Sequence, residues 1–178
     1  MAYPEALSFI LTRRSIRRFS RRAIPEPDVK ILLKAAMAAP SAQNVESWRF
    51  LVISGREELN ALPRLHPSAG PALDAPLAIL VCADLSVKPD DVLWPQDCAA
   101  AVQNILLAAR MMELGSLWCS IHPQDTLEEL FIRHFGLPGT VRPFALVILG
   151  WPLQEFFEED RWKPDNVRLN RWEYRYPL

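Results

Sequence analysis

The spacing of hydrophobic positions along the 178-residue chain predicts an alternation of helices and strands. Five stretches are predicted helices: residues 4–11, 27–38, 57–65, 95–114 and 125–136. Apolar residues recur at helical spacing in 27–38 and 95–114, whereas residues 4–11 are apolar on most faces. Four shorter apolar stretches are predicted strands: residues 48–53, 78–83, 116–121 and 144–150. The connections between them vary in length, so the pattern predicts a mixed α/β or α+β domain but not its strand order.

Local features set the predicted ends of three helices. Pro40 disfavours a helical backbone at the residue before it, so residues 41–44 are predicted to form a loop. Gly115 is predicted to be the C′ residue of helix 95–114, whose long apolar stripe makes it the expected spine of the core. Asp125 and Glu128 have the spacing of a capping box, which makes them helix caps rather than catalytic acids.

The totals are those of one globular domain, residues 1–178, with 50% hydrophobic residues, 23% charged residues and a net charge of −1. Three cysteines without C-x-x-C spacing indicate neither a disulfide framework nor a structural zinc site. No leader pattern follows Met1, and no apolar run is long enough to cross a bilayer. A soluble protein of the reducing cytoplasm is expected.

Residues 151–178 differ from the rest of the chain, because charged residues there alternate with tryptophan and tyrosine. Trp162, Trp172 and Tyr176 make this segment too apolar to extend into water by itself. We expect it to pack on another surface, most simply that of a second subunit.

Six arginines fall between positions 13 and 22, although the chain as a whole is nearly neutral. Guanidinium groups form paired contacts with phosphate or carboxylate oxygens, so this cluster can serve a particular anion. It can also be a solvated turn whose arginines pair with acidic side chains, or a nucleic-acid or localisation patch. The sequence pI of about 6.3 makes nucleic acid the weakest of these interpretations.

Several motifs that carry well-defined chemistry are missing from the sequence. It has no G-x-G, no G-x-S-x-G, no H-E-x-x-H, no P-loop and no EF-hand loop. His66, His122 and His134 are far apart and do not indicate a metal site. Cys119 is expected to be a small buried apolar residue rather than a nucleophile. The shortage of acid–base candidates favours chemistry carried by a bound cofactor.

Five segments in succession resemble motifs of the FMN-dependent nitroreductase family. They are RRSIRRF at 13–19, AAPSAQN with WRF at 38–50, QDCAAAVQN at 96–104, LGSLW at 114–118 and LGWP at 149–152. The resemblance covers almost the whole chain. It implies a central, mainly antiparallel sheet flanked by helices, in an obligate homodimer whose C-terminal segments, residues 151–178, reach onto the partner. FMN would lie at the interface between the subunits.

The resemblance also implies a role for individual residues. Arg13 and Ser15 would bind the FMN phosphate or ribityl chain. Arg17 would lie near the pyrimidine end, where a cation stabilises the charge of the reduced ring and raises its potential. Asn44 has both a donor and an acceptor for the pyrimidine edge. Residues 118–120 would act through their backbone, including an amide donor to flavin N5. The full expected cofactor site is Arg13, Arg14, Ser15, Arg17, Pro40, Ser41, Ala42, Asn44, Trp118, Cys119, Ser120, Arg161 and Lys163.

The implied reaction has two steps at one face of the flavin. NADH or NADPH delivers hydride to N5 and leaves, and a small electron acceptor then takes its place. No side chain is assigned as a dedicated catalytic acid. Departures from the family pattern concern the acceptor: Glu46 puts a negative charge near the pocket mouth, Ser120 replaces a frequent glycine, and the short stretch 85–94 predicts an open site. Nitroaromatics, quinones and free flavin all fit, as do the dehalogenation, flavin cleavage or dehydrogenation of divergent relatives.

A rival hypothesis from another class is a flavin-binding module without turnover, such as a sensor or storage protein on the same fold. For the remaining arginines, Arg18, Arg21 and Arg22, ordinary surface charge is expected. Gln103 and Asn104 are expected to serve helix packing or dimer contacts.

Overall fold

The computed structural model describes residues 4–177, so the final residue of the predicted C-terminal segment lies outside the described part. Within this range there are five α-helices: α1 (Glu5–Thr12), α2 (Glu26–Met37), α3 (Arg56–Leu65), α4 (Trp94–Met111) and α5 (Asp125–Phe135). The same range holds five strands: β1 (Phe19–Ser20), β2 (Trp48–Ile53), β3 (Leu77–Asp84), β4 (Gly115–Ser120) and β5 (Val141–Pro152). All nine stretches predicted from the hydrophobic spacing are therefore confirmed, and the short strand β1 was missed.

The five strands form one antiparallel sheet around β5. Along one edge β5 pairs with β3, which pairs in turn with the edge strand β2. Along its other edge β5 pairs first with β4 and then, near its end, with β1. The predicted α+β class with a mainly antiparallel sheet flanked by helices is confirmed.

Alternation along β3 explains why this strand is apolar throughout. Ile79 and Val81 point to the face covered by α2 and α4. Ala78 and Leu80 point to the other face, which α3 and α5 cover. Because successive side chains of a strand point to opposite faces, a strand between two helical layers needs an apolar residue at every position.

The predicted end of α4 is wrong. The helix stops at Met111, and Glu113 instead of Gly115 takes the left-handed backbone, with φ of 59°. Gly115 is already the first residue of β4, where it lies against Ile16. Glycine is needed here because a larger side chain would collide with Ile16, and not because the backbone is left-handed. No helix in residues 4–177 is long and apolar enough to cross a membrane.

The predicted capping box of α5 is also wrong. Gln124 is the N-cap residue, and no side chain caps the helix. Glu128 instead bonds His122, with 2.7 Å between its Oε1 and His122 Nδ1. The turn that follows β4 brings this histidine to the first turn of α5, and that contact lies outside the reach of a local sequence pattern.

Candidate functional site

The arginine segment runs from the end of α1 to β1 and lies against the outer edge of β4. Ile16 is buried and its N–H donates a 2.9 Å hydrogen bond to Ser116 C=O. The adjacent Ser15 forms an isolated parallel bridge with Ser116. One buried residue therefore anchors a segment whose polar neighbours, Ser15 and Arg17, are exposed.

The outer edge of β4 is only partly used by the rest of the protein. Peptide groups alternate in direction along a strand, so the bond to Ser116 places those of Ser116, Trp118 and Ser120 on the side away from β5. Ser120 C=O accepts a hydrogen bond from His66 Nε2 at 2.9 Å. His66 Nδ1 accepts from Ser68 N–H, which makes Nε2 the protonated nitrogen. The N–H groups of Trp118 and Ser120 have no acceptor on this edge within residues 4–177.

A cleft of about 420 Å³ lies beside the arginine segment. Five of the residues expected to bind FMN line it, together with four from the adjoining chain: Arg13, Arg14, Ser15, Arg17 and Arg161, with Ile16, Gln154, Glu155 and Phe157. A neighbouring cleft of about 340 Å³ shares three of these arginines, Arg13, Arg14 and Arg161, and extends to Glu159 and Trp162. The structure thus places Arg161, from the C-terminal segment, in the same clefts as Arg13 and Arg14 near the N-terminus.

Two of the four arginines that line the larger cleft share one carboxylate. Glu159 Oε2 accepts from Arg14 and, at 3.0 and 3.1 Å, from Arg161. These contacts hold the pKa of Glu159 below its usual range. Arg14 also stacks on Phe157, with its guanidinium carbon 4.6 Å from the ring centre.

Arg13 differs from these neighbours because its side chain has no hydrogen bond or ion pair within residues 4–177. Burial lowers the pKa of Arg13, and the charges of Arg161 and Arg14 lower it further. A half-buried cation beside two others is unfavourable by itself. Phosphate oxygens are the chemistry that would compensate it, and paired donors suit them.

Arg17 continues the same surface towards the sheet. Its backbone N–H and that of Arg18 both donate to Gln154 Oε1, at 2.7 and 3.0 Å. Burial raises the pKa of the Cys119 thiol to about 11, and the charge of Arg17 acts in the opposite direction. Arg17 therefore lies within electrostatic reach of β4, while Cys119 is the inert buried thiol that the sequence predicted.

The second predicted part of the site, residues 40–44, lies elsewhere in the chain. Ala42 N–H donates to Asp97 Oδ1 at 3.0 Å, at the start of α4. The arginine segment is tied to the other end of the same helix, because Arg110 Nε donates to Thr12 Oγ1 at 3.0 Å. Asp97 and Arg110 are separated by roughly 20 Å along the helix axis, at about 1.5 Å per residue. The two predicted parts are therefore tied to opposite ends of α4.

Lys163 is exposed and does not line either cleft. It begins a short turn within a small terminal hairpin in which Leu169 N–H donates to Tyr174 C=O. Several aromatic side chains of the terminal segment are largely exposed: Phe157, Trp162, Trp172 and Tyr174 at 55–83%, and Tyr176 at 43%.

Three contributors to this region escaped sequence reasoning. Glu159 and Gln154 lie more than 130 positions from the arginines that they contact, and nothing local marks them. Asp97 falls within a motif of the central helix, but that motif does not reveal its bond to the loop.

Three residues that were expected to lie outside the site make structural contacts: Arg21 pairs with Asp74, Arg22 stacks on Trp151, and Asn104 ties α4 to Ala35 of α2. Residues 4–177 contain no cluster of three His, Cys, Asp or Glu side chains able to hold a metal.

Several known proteins are similar to this chain over most of its length. Two archaeal proteins carry the name "Putative NADH dehydrogenase/NAD(P)H nitroreductase". The one from Archaeoglobus fulgidus is 42% identical over 94% of this chain and 99% of its own length. The one from Methanothermobacter thermautotrophicus is 40% identical over 94% of this chain and 88% of its own length.

The fold comparison agrees with the sequence comparison. A crystal structure from Desulfovibrio desulfuricans, described as a "putative nitroreductase in complex with FMN", has a TM-score of 0.82 and 30% identity over 99% of this chain and all of that one. A family model described as the nitroreductase family matches residues 10–84 and 68–151. The matches and the fold lead to one conclusion: this chain belongs to the nitroreductase family.

Proposed function

We propose that the protein is an FMN-dependent NAD(P)H oxidoreductase that reduces a small electrophilic acceptor. The observation that carries the proposal is the unpaired Arg13 guanidinium, in a cleft beside a strand edge with free N–H groups. Membership of the nitroreductase family supports a flavin, as does the FMN described for the similar Desulfovibrio structure. We take residues 1–178 as one FMN-binding domain.

Arg13, Arg14 and Arg161 form the phosphate end of the proposed site. Arg13 has no competing carboxylate, so it is the residue most free to bind the phosphate directly. Ser15 is exposed at the same cleft and can donate its hydroxyl to the phosphate or the ribityl chain. Charge-assisted hydrogen bonds of this kind contribute about 1.5–3 kcal/mol each.

Arg17 and β4 form the ring end. The free N–H groups of Trp118 and Ser120 can donate to polar atoms of a flat ring placed against the strand edge. Arg17 puts a permanent positive charge near this edge, which favours negative charge on a bound ring. When bound, FMN supplies a ring nitrogen that takes hydride from NADH or NADPH and passes it to the acceptor.

The proposed site is completed by a second copy of the chain. Arg17 and Asn44 are both assigned to the pyrimidine end of the flavin, yet the ends of α4 that hold their segments are roughly 20 Å apart. An Asn44 supplied by the partner resolves this conflict. The exposed aromatic residues of the terminal segment offer apolar surface for a homodimer to bury.

Acceptor choice follows from how open the site is. Only nine residues connect the end of β3 to α4, Leu85 to Leu93, so little chain is available to cover the ring. Nitroaromatics and quinones are acceptors of suitable size and electrophilicity. Glu46, in the exposed loop near Asn44, disfavours anionic acceptors by like-charge repulsion.

The absorption spectrum of the purified protein supplied with FMN tests the cofactor. A bound flavin spectrum is expected, and failure to bind FMN would remove the central proposal. Anaerobic mixing with NADH and with NADPH then tests turnover. Bleaching of the flavin by either is expected, whereas a flavin that stays oxidised would support a binding module without catalysis.

Mixed subunits test the shared site. Arg13→Ala and Asn44→Ala each damage a different half, so each homodimer is expected to bind FMN weakly. After unfolding and refolding together, heterodimers contain one intact site and one doubly damaged site. Recovery of tight FMN binding in the mixture is expected, and no recovery would show that the two residues act within one chain.

A further inference from the structure

The loop that carries Asn44 has an unusual backbone. Gln43, Asn44 and Glu46 have φ values of 54°, 56° and 52°, in the left-handed region that residues other than glycine seldom adopt. Three such residues within four positions are disfavoured unless surrounding contacts hold them. The loop therefore depends on its anchors.

Besides Arg49, whose guanidinium donates to Glu46 C=O at 3.3 Å, three side chains anchor the loop. Ser41 Oγ accepts from Glu46 N–H at 3.1 Å, and Lys88 Nζ donates to Gln43 Oε1 at 2.9 Å, but both pairs involve exposed residues. The third anchor, Asp97 Oδ1, accepts from Ala42 N–H at 3.0 Å. Asp97 is only 5% exposed, so its contact is the one most protected from water.

The carboxylate of Asp97 is buried but makes only one hydrogen bond within residues 4–177. It lies in the first turn of α4, where a negative charge is favoured by the N-terminal end of the helix. Its other oxygen, Oδ2, is buried and has no hydrogen-bond partner within residues 4–177. Burying a half-satisfied carboxylate is unfavourable for folding, so stability of the helix does not explain this residue. Its one side-chain hydrogen bond is the one that it accepts from Ala42 N–H in the loop.

We propose that Asp97 is a positioning residue for the flavin site: its carboxylate holds Ala42 N–H and thereby sets the left-handed turn that presents Asn44. The proposal rests on the FMN site described above. It assigns Asp97 no contact with the cofactor or with a substrate. Its effect on the ring passes through the backbone of residues 42–44.

Two substitutions separate the hydrogen bond from the volume of the side chain. Asp97→Ala removes the acceptor, and an FMN dissociation constant about ten-fold higher is expected, because bonds to charged groups contribute about that much. Asp97→Asn keeps an oxygen at the same place, so the dissociation constant should stay within about three-fold of the unsubstituted protein. Asn104→Ala is the matched control. It removes a 2.9 Å bond from the same helix to Ala35, away from the loop, and should leave FMN binding unchanged.

A double-mutant cycle tests whether Asp97 acts through Asn44. If it does, Asp97→Ala should have little further effect on FMN affinity in a protein that already carries Asn44→Ala. Effects that multiply independently would overturn the proposal. So would equal losses for Asp97→Ala and Asn104→Ala, since both would then report only loosening of α4.

Hydrogen exchange of the Ala42 amide gives a measurement that needs no flavin. In the cofactor-free protein this amide should exchange at least ten-fold faster in Asp97→Ala than in Asp97→Asn, because only the latter keeps an acceptor. Equal rates would contradict the anchoring role even if FMN binds normally. If the unsubstituted protein binds no FMN, the proposed function fails, while exchange at Ala42 still decides whether Asp97 holds the loop.

Discussion

The side chain of Ile16 occupies the space that a Cβ on Gly115 would need. An ideal Cβ at Gly115 would lie 2.8 Å from Ile16 Cγ2 and 2.9 Å from Ile16 Cβ. The glycine at the start of β4 therefore sets how closely the arginine segment approaches the sheet. Because Ile16 lies between Ser15 and Arg17, this contact fixes the position of the proposed FMN-binding surface.

Gly115→Ala should weaken FMN binding and lower the stability of the fold. The added methyl group must displace Ile16, and overpacking of this kind costs about 1–3 kcal/mol. Urea unfolding measures the stability loss, and flavin fluorescence measures the dissociation constant. The control is Gly139→Ala, where a Cβ meets nothing within 4 Å and the backbone is not left-handed. A similar effect at both glycines would contradict the role given to the Ile16 contact.

Arg13→Ala should weaken FMN retention far more than Arg21→Ala. Arg13 lies in the cleft without a carboxylate partner, whereas Arg21 is exposed and pairs with Asp74 at 3.1 Å. Loss of one charge-assisted contact to phosphate corresponds to an increase of about 10- to 100-fold in the dissociation constant. Equilibrium dialysis against FMN measures both variants. Equal increases in the dissociation constant would contradict the assignment of Arg13 to the FMN site and of Arg21 to the surface.

Glu159→Gln should bind FMN more tightly than the unsubstituted protein. Its carboxylate engages Arg14 and Arg161 and repels an incoming phosphate. Exposed ion pairs are weak, so a gain of only about two- to five-fold in affinity is expected. The advantage should shrink at high salt, which screens the repulsion.

The neighbouring residue provides the control for that experiment. Glu158 lines the adjacent cleft but makes no ion pair within residues 4–177, so Glu158→Gln should change the affinity less. Weaker binding by Glu159→Gln would mean that the carboxylate holds the arginines in place rather than competing with phosphate.

The three cysteines should be unreactive in the folded protein. All are buried, and burial raises the pKa of Cys82 to about 12 and that of Cys119 to about 11, while Cys98 is raised further. An aromatic disulfide reagent at pH 8 should detect three thiols only after unfolding. Rapid reaction of a thiol in the folded protein would contradict this burial.

The same shifts predict a loss of stability in alkaline solution. A thiol whose pKa is raised by folding contributes its full stability below the unfolded value, near 9, and loses it as the pH rises towards the folded value. The slope is about 1.4 kcal/mol per pH unit for each such thiol. Between pH 9 and 10.5, urea unfolding of Cys119→Ala should therefore depend less steeply on pH than that of the unsubstituted protein. Equal slopes would contradict the raised value.

Local patterns were sufficient for the main elements of the fold. The apolar run of β3 and the helical spacing of α4 each mark an element within a few residues, because burial against a sheet or helix imposes a fixed period. The same patterns failed at the ends of elements. Gly115 was predicted to end α4 and Glu128 to cap the start of α5. Instead Gly115 makes room for Ile16 and Glu128 bonds His122, through contacts that depend on packing.

The sequence by itself determined the elements, the resemblance to a family and the presence of a dense arginine cluster. Only the tertiary structure decided which arginines of the cluster pair with a carboxylate. Glu159 reaches Arg14 from 145 positions away and also pairs with Arg161, while the Arg13 side chain beside them has no hydrogen bond or ion pair within residues 4–177. It also decided that Asn44 and the arginines sit at opposite ends of α4. The physical reason is that hydrophobic periodicity is local, whereas these relationships depend on how distant segments pack around one helix and one strand edge.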